Sequence, residues 1–165
     1  MNKKNILISI LQAILLLIFI ICLTPKSFQN DTLFDISLGN KYLNEGISTY
    51  DDYSIQENLE YTPQHFVVNI ITYLVYNSFG FCGLYIWCII LTCFLAILFY
   101  IVNKLFCKRK IFSYLFVYAE LALMISFISV RAQMYSYIFF LLELIFIEKF
   151  LRNKKYIFLT LLSIL

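Results

Sequence analysis

Residues 66–103 run thirty-eight positions without a charged side chain, and residues 6–23 run another eighteen. About 20 apolar residues rising about 1.5 Å each match the hydrocarbon core of a bilayer. Composition agrees: 62% of the chain is hydrophobic and 14% charged, against about 45–50% and about 25% in soluble domains. A 165-residue chain has too little interior to hide that much apolar surface from water. The expected fold class is therefore all-α, a polytopic transmembrane helical bundle, with the chain forming one domain or part of one.

The long run exceeds one crossing and divides naturally near Gly80, since Asn69, Thr72, Asn77, Ser78, Gly80 and Gly83 crowd its first half. Across residues 66–77, Phe66, Val67, Ile70, Ile71, Leu74 and Val75 fall on one helical face and Asn69, Thr72, Tyr73 and Asn77 on the other, the pattern of an interfacial helix. Four crossings are expected, over residues 6–23, 81–102, 111–130 and 134–150. Glu120 lies in the third and Glu143 in the fourth. Residues 156–165 then begin a fifth, so the chain is expected to be the N-terminal portion of a larger protein and inactive alone. The first run follows Lys3 and Lys4, as in a signal peptide. It exceeds the usual 7–15 residue core, however, and Cys22-Leu23-Thr24-Pro25 offers no small-x-small cleavage site. An uncleaved anchor is expected.

Lys and Arg are retained on the cytoplasmic side of membranes. Ten of the thirteen basic residues fall in three clusters: Lys3 and Lys4; Lys104, Lys108, Arg109 and Lys110; and Lys149, Arg152, Lys154 and Lys155. Their alternation with the four crossings predicts a multi-pass cell-membrane protein with a cytoplasmic N-terminus. Residues 25–65 then form a long first outer loop. It carries Asp31, Asp35, Glu45, Asp51, Asp52, Glu57 and Glu60 against Lys26 and Lys41. The net charge of +3 thus reports topology, and the expected partner is membrane lipid with no nucleic acid.

Cys22, Cys82, Cys88, Cys93 and Cys107 are odd in number and lack zinc-ligand spacing, so they read as buried apolar side chains. No Gly-rich phosphate loop or hydrolase motif is present. Leu33, Phe34, Ile36, Leu38, Tyr42 and Leu43 give the outer loop an apolar helical face over residues 31–44, with Asp31 as a candidate cap and Gly46 as a stop. Asp31 and Asp35 then stand one turn apart near the membrane surface. Such a pair can serve as a base, bind a divalent metal, or simply be solvated.

Several segments carry a resemblance. Asn30-Asp31-Thr32-Leu33-Phe34-Asp35-Ile36, Gly39, Glu45-Gly46-Ile47 and Tyr50-Asp51-Asp52-Tyr53-Ser54 resemble the first outer loop of bacterial membrane glycosyltransferases of the GT-C superfamily. That loop reads D-T-x-W-H-I-x-x-G and then G-I-P-x-x-D-P-F-S-Y-T. Gln64-His65-Phe66-Val67 stands where the family has H-E-W-L, Phe79-Gly80-Phe81-Cys82-Gly83-Leu84 resembles G-G-F-x-G-L, and Arg131-Ala132-Gln133-Met134-Tyr135-Ser136-Tyr137 resembles R-P-Q-x-F-S-Y. The chain departs from the pattern at Asp35, Asp52, His65 and Ala132, where the family has His, Pro, Glu and Pro.

The resemblance implies a GT-C-like transmembrane domain that moves a sugar from a polyprenyl-phosphate-linked donor to an acceptor hydroxyl on the outer face. It makes Asp31 the candidate general base, and Asp35, Asp51, His65, Arg131 and Gln133 candidate substrate-binding residues. The lipid-phosphate sugar donor is a substrate, not a resident cofactor.

Other roles stay open for these residues. His65 can orient the helix that follows it, and Arg131 can anchor its turn at the headgroups, pair with an acid of the outer loop, or hold a phosphate with its planar fork. Glu120 and Glu143 suit either structural pairing or a polar pathway. Tyr50, Tyr53 and Tyr61 can stack on a sugar or anchor the interface. A transporter or flippase for a lipid-linked or anionic solute would use the two intramembrane acids. A non-catalytic scaffold would tolerate loss of every loop carboxylate.

Overall fold

The computed structural model describes residues 3–47, 50, 55, 60, 62–63, 65–107 and 109–154. Among these the secondary structure is helical, apart from an isolated antiparallel bridge between Tyr50 and Glu60. The helices are α1 (Lys3–Leu23), α2 (Asn30–Asn44), α3 (Phe66–Phe106), α4 (Lys110–Leu123) and α5 (Ala132–Asn153). A short 3-10 turn, Ile125–Phe127, follows α4.

Among the described residues two helices are long and apolar enough to cross a membrane: Ile6–Leu23 within α1, and α3. α4 has 14 residues, and α5 carries Glu143, Glu148, Lys149 and Arg152 within its 22. The third crossing expected over residues 111–130 is thus helical only to Leu123 before the 3-10 turn intervenes. Met124 closes α4 by donating its N–H to the Glu120 carbonyl at 3.0 Å.

The chain divides into two compact units. One takes the described residues of Met1–Pro25, Cys88–Ser129 and Gln133–Leu165. In it α1 and α4 meet where Phe19 packs edge-to-face on Tyr118, centroids 5.1 Å apart. Glu120 accepts a hydrogen bond from the Asn103 side-chain amide at 2.8 Å, a structural pairing for a polar group on an otherwise apolar face. Thr24 and Thr92 return their hydroxyls to the carbonyls one turn back, Ile20 and Cys88. All five cysteines are free, but only Cys88 is buried, and Cys22 and Cys82 are exposed. The expectation of buried cysteines is corrected for these two, because a helix that is apolar all round has outward faces as apolar as its packed ones.

The other unit takes the described residues of Lys26–Trp87 and Val130–Ala132. Gly80 adopts φ 62 and ψ −152, so α3 is two helices meeting at Gly80, where the sequence divides the run. This backbone region is open essentially to glycine alone. Phe81, just beyond the break, stacks on Phe28 and receives the edge of Tyr76, with centroids 6.0 and 5.1 Å apart.

The arm of α3 before Gly80 turns the Asn69–Thr72 part of its polar face inward, while Asn77 of that face is exposed. Asn69 and Thr72 are buried while Phe66, Val67 and Leu74 are exposed. Gly39 explains the orientation, because a Cβ there would overlap the Asn69 carbonyl oxygen and lie 2.7 Å from Tyr73 Cβ. α2 therefore brings its bare backbone against the polar face, and Thr72 satisfies its own hydroxyl on the Val68 carbonyl at 2.8 Å.

Candidate functional site

α2 begins without a side-chain cap. Gln29 occupies the N-cap position and makes no capping bond, so the expectation that Asp31 caps this helix is corrected. Asp31 lies in the first turn, where a carboxylate faces the positive end of the helix dipole. Its Oδ2 is drawn instead to Arg131 Nη2, 2.6 Å away. One residue on, the buried Thr32 donates its hydroxyl to the Val130 carbonyl at 3.3 Å. These two contacts tie the start of α2 to a segment about a hundred positions later in the chain. The far end of α2 closes as the sequence implies, with Glu45 N–H on the Lys41 carbonyl and Gly46 at φ 85.

Asp35 stands one turn beyond Asp31 on the same side of α2. Opposite lies the entry to α3, where His65 takes a left-handed φ of 58 and accepts the Asn69 N–H on its carbonyl at 3.0 Å. Left-handed backbone is uncommon outside glycine, and histidine tolerates it better than most residues. The backbone of His65 thus starts the helix while its imidazole stays exposed. Asn30, Asp31, Phe34, Asp35, Leu38, His65 and Asn69 together line a cleft of about 470 Å³, within the range of about 300–1,000 Å³ that holds small molecules.

Three features set the electrostatics of the cleft. Asp31 remains 69% exposed although ion-paired, while Arg131 is only 20% exposed and its Nε is buried with no hydrogen-bond partner. Asp35 is half-buried, and burial above all, then the neighbouring Asp31, pushes its carboxyl from 3.8 up to about 6, against the opposing pull of His65 and Arg131. Asn69 is 1% exposed and its Oδ1 lacks a partner. A buried acceptor left without a donor costs about 1–3 kcal/mol.

The structure brings together Asp31, Asp35, His65 and Arg131 from the expected set. Gln133 sits exposed in the first turn of α5 and belongs to the other unit. Asp51 lies outside the described residues. Thr32 and Asn69 have positions in the site that sequence reasoning missed. A usable signal for Asn69 was the polar face it forms with Thr72 and Tyr73, together with a glycine in the neighbouring amphipathic helix.

Among the described residues no group of three or more His, Cys, Asp or Glu side chains is placed to hold a metal ion. No family model, curated protein or solved structure matches the chain.

Proposed function

We propose that this chain belongs to a multi-pass membrane glycosyltransferase of the GT-C type, with its N-terminus cytoplasmic and its first loop on the outer face. A sugar passes from a polyprenyl-phosphate donor to an acceptor hydroxyl. Asp31 takes the hydroxyl proton, the acceptor oxygen forms a bond to the anomeric carbon, the bond from that carbon to phosphate breaks, and polyprenyl phosphate leaves. The supporting observation is the Asp31–Arg131 pair, which joins two of the segments that carry the resemblance beside the cleft that Asp31 lines. A carboxylate held by a guanidinium yet largely exposed can meet a hydroxyl at hydrogen-bond distance, the first requirement of a general base. Arg131 Nε, buried and unpartnered, is a donor that a phosphate oxygen would satisfy. The transport alternative draws less support, since Glu120 is already engaged by Asn103.

The test is release of polyprenyl phosphate from a tritiated hexose donor by membranes carrying the full protein. Asp31→Asn should lower the rate by about 100-fold or more, the scale of general-base catalysis, with normal membrane insertion. Asp35→Asn and Asp51→Asn should cost less. Undiminished transfer by the Asp31 variant would remove Asp31 as the base.

A further inference from the structure

We propose that the cleft between α2 and the start of α3 binds an ammonium group, seated between the Asp35 carboxylate and Asn69 Oδ1, so that the substrate handled here carries an amine. The inference deepens the glycosyltransferase reading, since it narrows the sugar or acceptor to an amino compound.

Asp31 is ion-paired with Arg131 at 2.6 Å, whereas Asp35, though attracted by His65 and Arg131, makes no ion pair among the described residues. Hydrogen bonding points the same way. Asn69 Oδ1 is a buried acceptor with no donor, on a side chain that lines the same cleft as Asp35. One ligand group satisfies both needs only if it brings several donors and no acceptor, and an ammonium brings three. A neutral hydroxyl brings one donor, and its own lone pairs would then face carboxylates.

The rest of the lining suits the carbon skeleton of such a ligand, since Phe34 and Leu38 border the cleft. An aromatic face beside a cation adds attraction of its own. The shift of Asp35 toward about 6 is the expected state of a half-buried carboxylate whose cation is missing, because a bound positive charge would favour its ionised form. The groups that set this balance are Asp31 on α2, His65 at the entry to α3, and Arg131.

The experiment compares two probes differing in one group, D-glucosamine and D-glucose, titrated by ligand-observed NMR into the full chain in lipid nanodiscs. At about pH 7, where Asp35 is ionised, glucosamine should bind about tenfold more tightly, as when a charge-assisted hydrogen bond replaces a neutral one. At about pH 5 the preference should shrink as Asp35 gains its proton. Asp35→Asn should abolish it at both pH values while leaving the circular dichroism near that of the parent. Equal binding of the two sugars, binding of neither, or a preference unchanged by Asp35→Asn would overturn the proposal. A protein that transfers a neutral sugar and shows no amine preference keeps the transferase reading and loses this one. Amine preference in a protein that transfers nothing does the reverse.

Discussion

α1 and the α2 unit handle surface in opposite ways. Over Ile6–Leu23 only 6% of residues are buried, and Leu7, Leu11, Ile14 and Ile18 all face outward. Such a helix is stable where its surroundings are as apolar as itself. α2 buries Thr32, Leu38, Gly39 and Tyr42 and exposes Asp31, Asn40 and Asn44, although Leu33, Phe34 and Leu43 of its expected apolar face are exposed as well. Its partner arm turns Asn69 and Thr72 inward. One region is held by the medium around it, the other by close contact between backbones and by polar pairs, and it is the second whose cleft is lined by charged and polar side chains.

The sharpest way to break that contrast is at Gly39 and Gly80, two of the four glycines of the α2 unit. Gly39→Ala would drive a methyl into the Asn69 carbonyl, and overpacking of this kind costs about 1–3 kcal/mol, occasionally more. Because the obstacle is backbone, the upper end is expected, together with loss of the cleft. Gly80→Ala meets open space and carries only the backbone penalty, about 1–3 kcal/mol, at its lower end. Thermal denaturation of both variants checks the order. A milder effect at Gly39 than at Gly80 would show that α2 does not pack as described.

Acid sharpens the comparison next. Asp35 titrates near 6 in the folded protein and near 3.8 when exposed, so the folded state holds this proton longer. Its contribution to stability is greatest below about 3.8, declines as pH rises to about 6, and is flat above. Asp35→Asn should remove that slope in a series of melts. Asp31→Asn should move the carboxyl of Asp35 down, and Arg131→Ala should move it up, because these neighbours raise and lower it respectively.

The smallest effect is expected in the apolar unit. Asn103→Ala removes the hydrogen bond to Glu120, and interhelical polar pairs in membranes are worth about 0.6 kcal/mol on average and about 1.7 at most. A loss of that size in a membrane-reconstituted unfolding series would fit a structural pair. A much larger one would mark Glu120 as part of a functional path.

Much of the apolar unit was legible in the sequence, because an uncharged run long enough to span needs no partner to be recognised. The break at Gly80 was legible too, from the polar residues and glycines that gather before it. The site was legible only in part. Asp31 read as a cap because short acids favour that position, and nothing local reveals that Arg131 competes for it. Pairing of Arg131 with an outer-loop acid was one of several open roles, and spacing could not choose among them. The arm of α3 showed two faces, but periodicity does not say which one packs. That depended on Gly39, whose missing side chain lets backbone meet backbone and carries Asn69 into the cleft.

The meeting of Asp31 and Arg131, a hundred positions apart, beside the cleft that Asp31 lines is the contact on which the site depends. It can be tested by placing cysteines at Asp31 and Arg131 in a background without native cysteines and treating membranes with a short bis-methanethiosulfonate reagent. A protease site inserted after position 107 then separates the two halves of the chain. The halves should remain joined until reductant is added, and chains carrying either cysteine alone should separate at once. Separation of the Asp31–Arg131 pair without reductant, with both cysteines shown to react singly, would contradict it.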